Sequence, residues 1–177
     1  MRAIILMVCS LFLCGIPILS ASGTEVYGLI GFTNVHDDES SLGSGFDIGG
    51  GIGFRATDRI GISFEIDHVD ASRDFSSGVR FEADVTNFGG NVQYFFPGDH
   101  LEPYVFAGAG ITHFKASSIF PDEFFDSSEN AFTFNFGGGL HVSMNDRLSL
   151  RPEIRWSWNK ISFVNQIRGS VAVGYTW

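Results

Sequence analysis

A chain of 177 residues is long enough for one domain with its own core, and its formal net charge of -9 excludes nucleic acid as a partner, because phosphate binding needs clustered cations. Lys occurs only at Lys115 and Lys160, whereas Gly (22) and Phe (19) are abundant, which is unusual for a soluble protein. Both cysteines, Cys9 and Cys14, lie in the first segment, so the remainder carries no disulfide framework and no thiol chemistry.

That first segment, residues 1–22, has one Arg, a long apolar run and a small-residue end at Ser20, Ala21 and Ser22. The pattern predicts a secretory signal peptide cut near Ser22, with an uncleaved anchor as the alternative. Residues 23–177 then form a single domain, in which no apolar run is long enough for a membrane helix. If this domain enters a membrane, it does so as a closed barrel.

Eight stretches have the two-residue period of strands. Residues 25–35 are apolar on both parities and leave their facing open. In residues 45–56, Phe46, Ile48, Ile52 and Phe54 alternate with Asp47, Gly49, Gly51, Gly53 and Arg55. Only Thr57, Asp58 and Arg59 separate these from residues 60–69, where Ile60, Ile62, Phe64 and Ile66 oppose Gly61, Ser63, Glu65 and Asp67. The pair predicts a tight hairpin with matched faces.

The fourth stretch, residues 79–96, sets Phe88, Val92, Tyr94 and Phe96 against Asn87, Asn91 and Gln93. Its upstream half changes parity, which predicts a bulge or a projection beyond the membrane. In residues 104–114 two sets compete, and Val105, Ala107, Ala109 and Ile111 are assigned to the lipid side. Residues 131–143 alternate cleanly, with Phe132, Phe134, Phe136, Leu140 and Val142 opposite Thr133, Asn135, Gly137, Gly139 and His141. Residues 148–158 set Ser149, Arg151, Glu153, Arg155 and Ser157 between apolar residues and Pro152, and residues 167–177 close the chain in the same alternating manner.

Connections alternate between short turns (57–59, 97–101, 144–147) and longer acidic loops (36–44, 70–78, 115–130, 159–166). Short periplasmic turns facing longer outer loops are the pattern of an outer-membrane barrel, although a soluble eight-stranded barrel shares the alternation. The polar parity separates the two. It consists of Gly, Ser and Asn with a few charges of both signs, which suits a narrow interior rather than a solvated surface. Aromatics gather at strand ends, Tyr94, Phe96, Tyr175 and Trp177 toward one rim and Phe114, Phe132, Trp156 and Trp158 toward the other, as in interfacial girdles. The fold class expected is all-β, an eight-stranded antiparallel transmembrane up-and-down barrel in the bacterial outer membrane.

The segments "RIGISFEID" and "LRPEIRWSW" resemble the third and seventh strands of the OmpA-like eight-stranded outer-membrane barrel family. The resemblance implies an interior carboxylate at Glu65, an Arg partner for it at Arg151 and a neighbouring acid at Glu153. The end "SVAVGYTW" is similar to that family's insertion signal, here Tyr175 and Trp177, with Trp in place of the usual terminal Phe and Ala172 where Gly is common. By this resemblance the partners are outer-membrane lipid and lipopolysaccharide, with periplasmic chaperones and the barrel-assembly machinery during biogenesis.

The charges on the polar parity, Asp47, Arg55, Glu65, Asp67, Arg151, Glu153 and Arg155, are expected in the lumen, where charge survives only when paired. They allow two readings, a gate whose ion pairs block or open a passage, or a packed polar core that fixes register. Pro152 removes a ladder bond and is expected near the periplasmic rim. His141 and Ser143 with Glu153 resemble the His-x-Ser plus acid arrangement of outer-membrane lipid A deacylases, but Met144 stands where that family has Asn. The other histidines, His36, His68, His100 and His113, show no metal-ligand spacing, and "HDDES" and "PDEFFD" could hold a hard cation or be solvated acidic loops. No cofactor is expected. The leading expectation is a non-enzymatic envelope or surface protein; the alternatives are a narrow channel for small or apolar solutes and a lipid A-modifying enzyme using His141 and Ser143.

Overall fold

The computed structural model describes residues 23–36, 41–74, 80–119, 124–159 and 165–177. Residues 1–22, where a signal peptide is expected and both cysteines fall, lie outside the described residues, as do residues 37–40, 75–79, 120–123 and 160–164. Every regular element among the described residues is a strand: β1 (Thr24–His36), β2 (Ser41–Arg55), β3 (Ile60–Asp74), β4 (Arg80–Phe95), β5 (Leu101–Ile119), β6 (Phe124–Ser143), β7 (Leu148–Asn159) and β8 (Asn165–Thr176). Each pairs antiparallel with the next, and β8 pairs with β1, so the sheet closes without a free edge.

The registers fix the geometry of closure. From Glu65, one route round the barrel passes Gly51, Tyr27 and Gly174 and reaches β7 at Ser149. The other passes Gly89, Gly110 and Thr133 and reaches β7 at Asn159. The two arrivals differ by ten residues (159 − 149), which is the shear of the barrel. With ordinary strand spacing and rise, eight strands at this shear tilt by about 41° and enclose a cylinder of about 8 Å radius, wide enough for side chains and little else.

Facing follows the alternation. On β1 the set Glu25, Tyr27, Leu29, Thr33 and Val35 is buried inside, which decides the strand that the sequence left open. On β5, Tyr104 and Phe106 point inward while Val105 and Ile111 are exposed, as assigned. The outer wall is a continuous apolar surface, with Phe32, Phe88, Phe136 and Ile154 all exposed. Water would not tolerate so large an apolar patch, and lipid requires it.

Above this band the chemistry inverts. Three rows of outward-facing residues run across β3 to β6. The first is Ile66, Phe88, Ile111, Phe132; the second is His68, Thr86, His113, Asn130; the third is Asp70, Asp84, Lys115, Ser128. The wall changes from apolar to polar within one row, so the membrane boundary lies there. Behind the polar rows, Val35, Val69, Ala71, Ala83 and Val85 form a buried apolar cluster with Phe114 packed on it. Water now lies outside, and the apolar side chains therefore go in.

This accounts for the parity change in β4, whose ladders to β3 and β5 run without a register shift. The strand projects beyond the membrane; it does not bulge. It also corrects Phe114, which belongs to the inner cluster and not to an outer girdle. Much of what reads as loop at 70–78 and 115–130 is strand. β5 and β6 have 19 and 20 residues, whereas a tilted membrane strand needs about 9–11.

Pro152 is the fifth residue of β7 rather than a rim residue. The β6–β7 ladder runs to Gly139 opposite Glu153 and resumes in the same register at Val142 opposite Leu150. The missing N–H thus falls in a gap, while on the other side Pro152 keeps its place opposite Val171.

Candidate functional site in the lumen

The interior is filled in layers. At the end that holds the short turns, Arg55 Nη2 lies 2.5 Å from Glu102 Oε2, and its guanidinium sits 3.5 Å over the Phe95 ring. His141 lies between two acids, with Nδ1 3.4 Å from Glu102 and Nε2 3.7 Å from Glu25. Glu25 also accepts a bond from Ser149 and pairs with Arg151 at 3.1 Å. A cavity of about 170 Å³ opens among these groups, with Arg151 part of its lining.

Two tyrosines form the next layer. The Arg151 guanidinium faces the rings of Tyr27 (4.6 Å) and Tyr104 (5.3 Å). On their other side the Tyr27 hydroxyl donates to Glu65 at 3.0 Å and the Tyr104 hydroxyl to Glu153 at 2.8 Å. Each ring lies against a glycine of the neighbouring strand, Gly51 for Tyr27 and Gly139 for Tyr104. A Cβ on either glycine would fall within 3.0 Å of a ring atom. Here the abundant glycine makes room for a large interior side chain.

Beyond the tyrosines sits the main ionic layer, with Arg168 at its hub. Its Nη1 reaches Asp67 at 2.8 Å and Asp47 at 3.3 Å, and its Nη2 reaches Glu65 at 2.6 Å and Glu153 at 3.4 Å. Arg155 pairs with Glu65 at 2.7 Å and Glu153 at 3.0 Å. Two guanidinium groups thus hold four carboxylates in a buried interior, where acids already outnumber cations and removing either cation deepens the imbalance. Asn87 extends this layer outward, donating to Asp67 and accepting from Thr112, which in turn bonds Thr133.

All seven charged residues picked from the sequence face the lumen, but they belong to two layers. Arg55 and Arg151 lie in the lower one, and the other five join Arg168 in the upper one. The lumen also holds the charged residues Glu25, Glu102 and Arg168, outside the seven, and His141, which the sequence marks only as a catalytic candidate.

The expected Glu65–Arg151 pair is not formed, and the shear gives the reason. β3 and β7 are diametrically opposed, so the level of Glu65 on β7 lies midway between Ser149 and Asn159, at residue 154. The inward residues flanking that point are Glu153 and Arg155. Arg151 lies three residues lower and takes Glu25 instead.

The model of the outer membrane protein beta-barrel domain matches residues 7–175. The chain belongs to this family. No match was found among curated proteins. Among solved structures it is similar to Neisserial surface protein A, at 17% identity and a TM-score of 0.70 over 89% of this chain and 99% of that one. It is also similar to the N-terminal barrel domain of Pseudomonas aeruginosa OprF, at 18% identity and a TM-score of 0.59 over 89% and 100%. A third likeness is to Ail of Yersinia pestis in complex with a heparin analogue, at 13% identity and a TM-score of 0.61 over 88% and 99%. Identities this low carry the fold and not the ligands. As a member of this family the barrel resides in the bacterial outer membrane.

Within the outer-membrane barrel, the deacylase-like set His141, Ser143 and Glu153 is not assembled. Glu153 bonds Tyr104, Arg155 and Arg168, while the His141 nitrogens face Glu25 and Glu102.

The two layers make a sharp prediction for double-mutant cycles by urea unfolding in lipid vesicles. Glu65→Gln and Arg155→Gln should couple by roughly 1–3 kcal/mol. Glu65→Gln and Arg151→Gln should couple much more weakly, because the two groups meet only through Tyr27, whose hydroxyl donates to Glu65 and whose ring faces Arg151. Strong coupling in the second pair would place Arg151 against Glu65 and contradict the shear.

Proposed function

We propose that the chain is a non-enzymatic integral outer-membrane protein that presents a projecting sheet at the cell surface, with a lumen that is a structural core rather than a conduit. The observation that carries this reading is the extension of β3 to β6 beyond the lipid-facing band, over an interior crossed by ion pairs and tyrosines. The projection has its own apolar core behind polar rows, so it is a built surface rather than a slack loop. Its partners within the envelope are lipid and lipopolysaccharide around the wall, and the assembly machinery and chaperones before insertion.

Any external partner has a different character from the sulfated heparin analogue bound by Ail. A polyanion needs clustered cations, and this chain has a net charge of -9 with Asp70 and Asp84 side by side on the projecting wall. A neutral or cationic partner suits this surface.

Reconstitution in planar bilayers tests the closed lumen, and no unitary conductance is expected. Regular single-channel steps from purified protein would replace this reading with that of a narrow channel. For the surface role, residues 116–127 are replaced by a short turn. The barrel should keep its heat-modifiable mobility while cells lose whatever adherence the full chain confers. Undiminished adherence would remove the projecting sheet from the function.

A further inference from the structure

On the outer wall, just beyond the last apolar row, four side chains form a square on β3 and β4. His68 stands opposite Thr86, and Asp70 stands opposite Asp84. Two carboxylates directly across a ladder repel each other, and Lys115, opposite Asp84 on β5, offsets this from one side only. His68 Nε2 lies 3.1 Å from Asp70 Oδ1, and one ligand atom each from His68, Asp70 and Asp84 lies within 4.8 Å of the others.

We propose that His68, Asp70 and Asp84 bind a divalent transition-metal ion of the zinc type on the outer face of the barrel. The donor set decides the class of metal. Calcium and magnesium take oxygen ligands, whereas one imidazole nitrogen with two carboxylate oxygens is a zinc-type set. In a tetrahedral site with bonds of about 2.0–2.1 Å, neighbouring ligand atoms stand about 3.4 Å apart. The His68–Asp70 separation of 3.1 Å, a hydrogen-bond distance, is slightly shorter than this edge.

Asp70 is 75% exposed and free to turn, so the third edge can close by side-chain rotation alone. Thr86 supplies the supporting contact. Its Oγ1 lies 2.9 Å from His68 Nδ1, and Nε2 is within hydrogen-bond distance of Asp70; an incoming ion displaces the Nε2 proton to solvent, and the tautomer with Nδ1–H donating to Thr86 then turns the Nε2 lone pair to the metal. A histidine ligand oriented through its other nitrogen is the usual arrangement at metal sites. Three protein ligands leave a coordination position open on the outward side.

The site stands apart from the lumen and does not depend on the reading of function given above. It was not visible in the sequence because His68, Asp70 and Asp84 acquire their common spacing only through the β3–β4 register.

The experiment uses the full barrel refolded in detergent micelles, with zinc ion as the probe in competition with a chromophoric chelator. One equivalent should bind. The double variant Asp70→Asn with Asp84→Asn should abolish this binding, and Thr86→Val should weaken it by roughly 10- to 100-fold. His113→Gln, one strand further along the same row, should leave it unchanged. All four side chains point away from the interior, so every variant should keep its heat-modifiable mobility. Wild-type protein gives a second readout, because zinc should protect His68 but not His113 from diethyl pyrocarbonate. Absent binding, undiminished binding in the double variant, or displacement by equimolar calcium overturns the proposal.

Discussion

Replacing Arg168 with Met should be the most damaging single change in the barrel interior, costing roughly 3–5 kcal/mol. Arg168 is 4% exposed and reaches Asp47, Glu65, Asp67 and Glu153 at once. Without it, Glu65 and Glu153 keep Arg155, while Asp47 and Asp67 lose the cation they pair with, all in a buried interior. Two remedies are open to the molecule, protonation of an acid or entry of water, and each is itself costly. The measurement is urea unfolding in vesicles, alone and in combination with Asp67→Asn. The combined variant should recover part of the loss, since one uncompensated charge has gone with the cation. A single-variant loss below about 1 kcal/mol would mean that the four acids do not depend on Arg168 as a buried hub must.

The barrel was legible because a membrane strand encodes its two faces in alternate residues and lipid forbids exceptions on one of them. Residues 45–56, 60–69 and 131–143 needed nothing beyond that rule. The rule lapsed where the strands leave lipid. At Val85 and Val69 the outward neighbours are polar and the inward ones apolar, which on one parity reads as a break. The strand is continuous, and only the solvent has changed. β1 was illegible for another reason: its inward face carries Tyr27, Leu29 and Val35 beside Glu25 and Thr33, so polarity alone cannot choose between the parities.

For the lumen, the sequence yields membership but not partners. Polar parity places Glu65, Arg151 and Arg155 inside, yet which guanidinium meets Glu65 is decided by tilt. A shear of ten moves the opposite strand by half that amount, from Ser149 to residue 154, and only the full set of registers supplies it. Arg168 shows the complementary failure. It sits on the polar parity of the last strand, and counting the available cations against Asp47, Glu65, Asp67 and Glu153 would have drawn it in.

Removing Tyr175 to Trp177 should abolish accumulation of the protein in the outer membrane, and two mechanisms compete to explain that outcome. One is recognition: Tyr175 and Trp177 project outward at the end of β8 and resemble the aromatic signal read by the assembly machinery. The other is closure, because the same residues complete the seam. Tyr175 stands opposite Val26 on β1 and Leu148 on β7, Thr176 stands opposite Glu25, and the Trp177 N–H donates to Thr24. Deletion removes both, so the informative variant is Tyr175→Ala with Trp177→Ala. It keeps every backbone partner of the seam and strips only the side chains. If recognition governs, this variant should refold in vesicles with normal heat-modifiable mobility, yet in cells should remain periplasmic and be degraded. Failure in vesicles as well as in cells would assign the two aromatics to barrel stability. Normal amounts in the outer membrane would show that neither aromatic is read, and the address would then have to lie elsewhere in the strand.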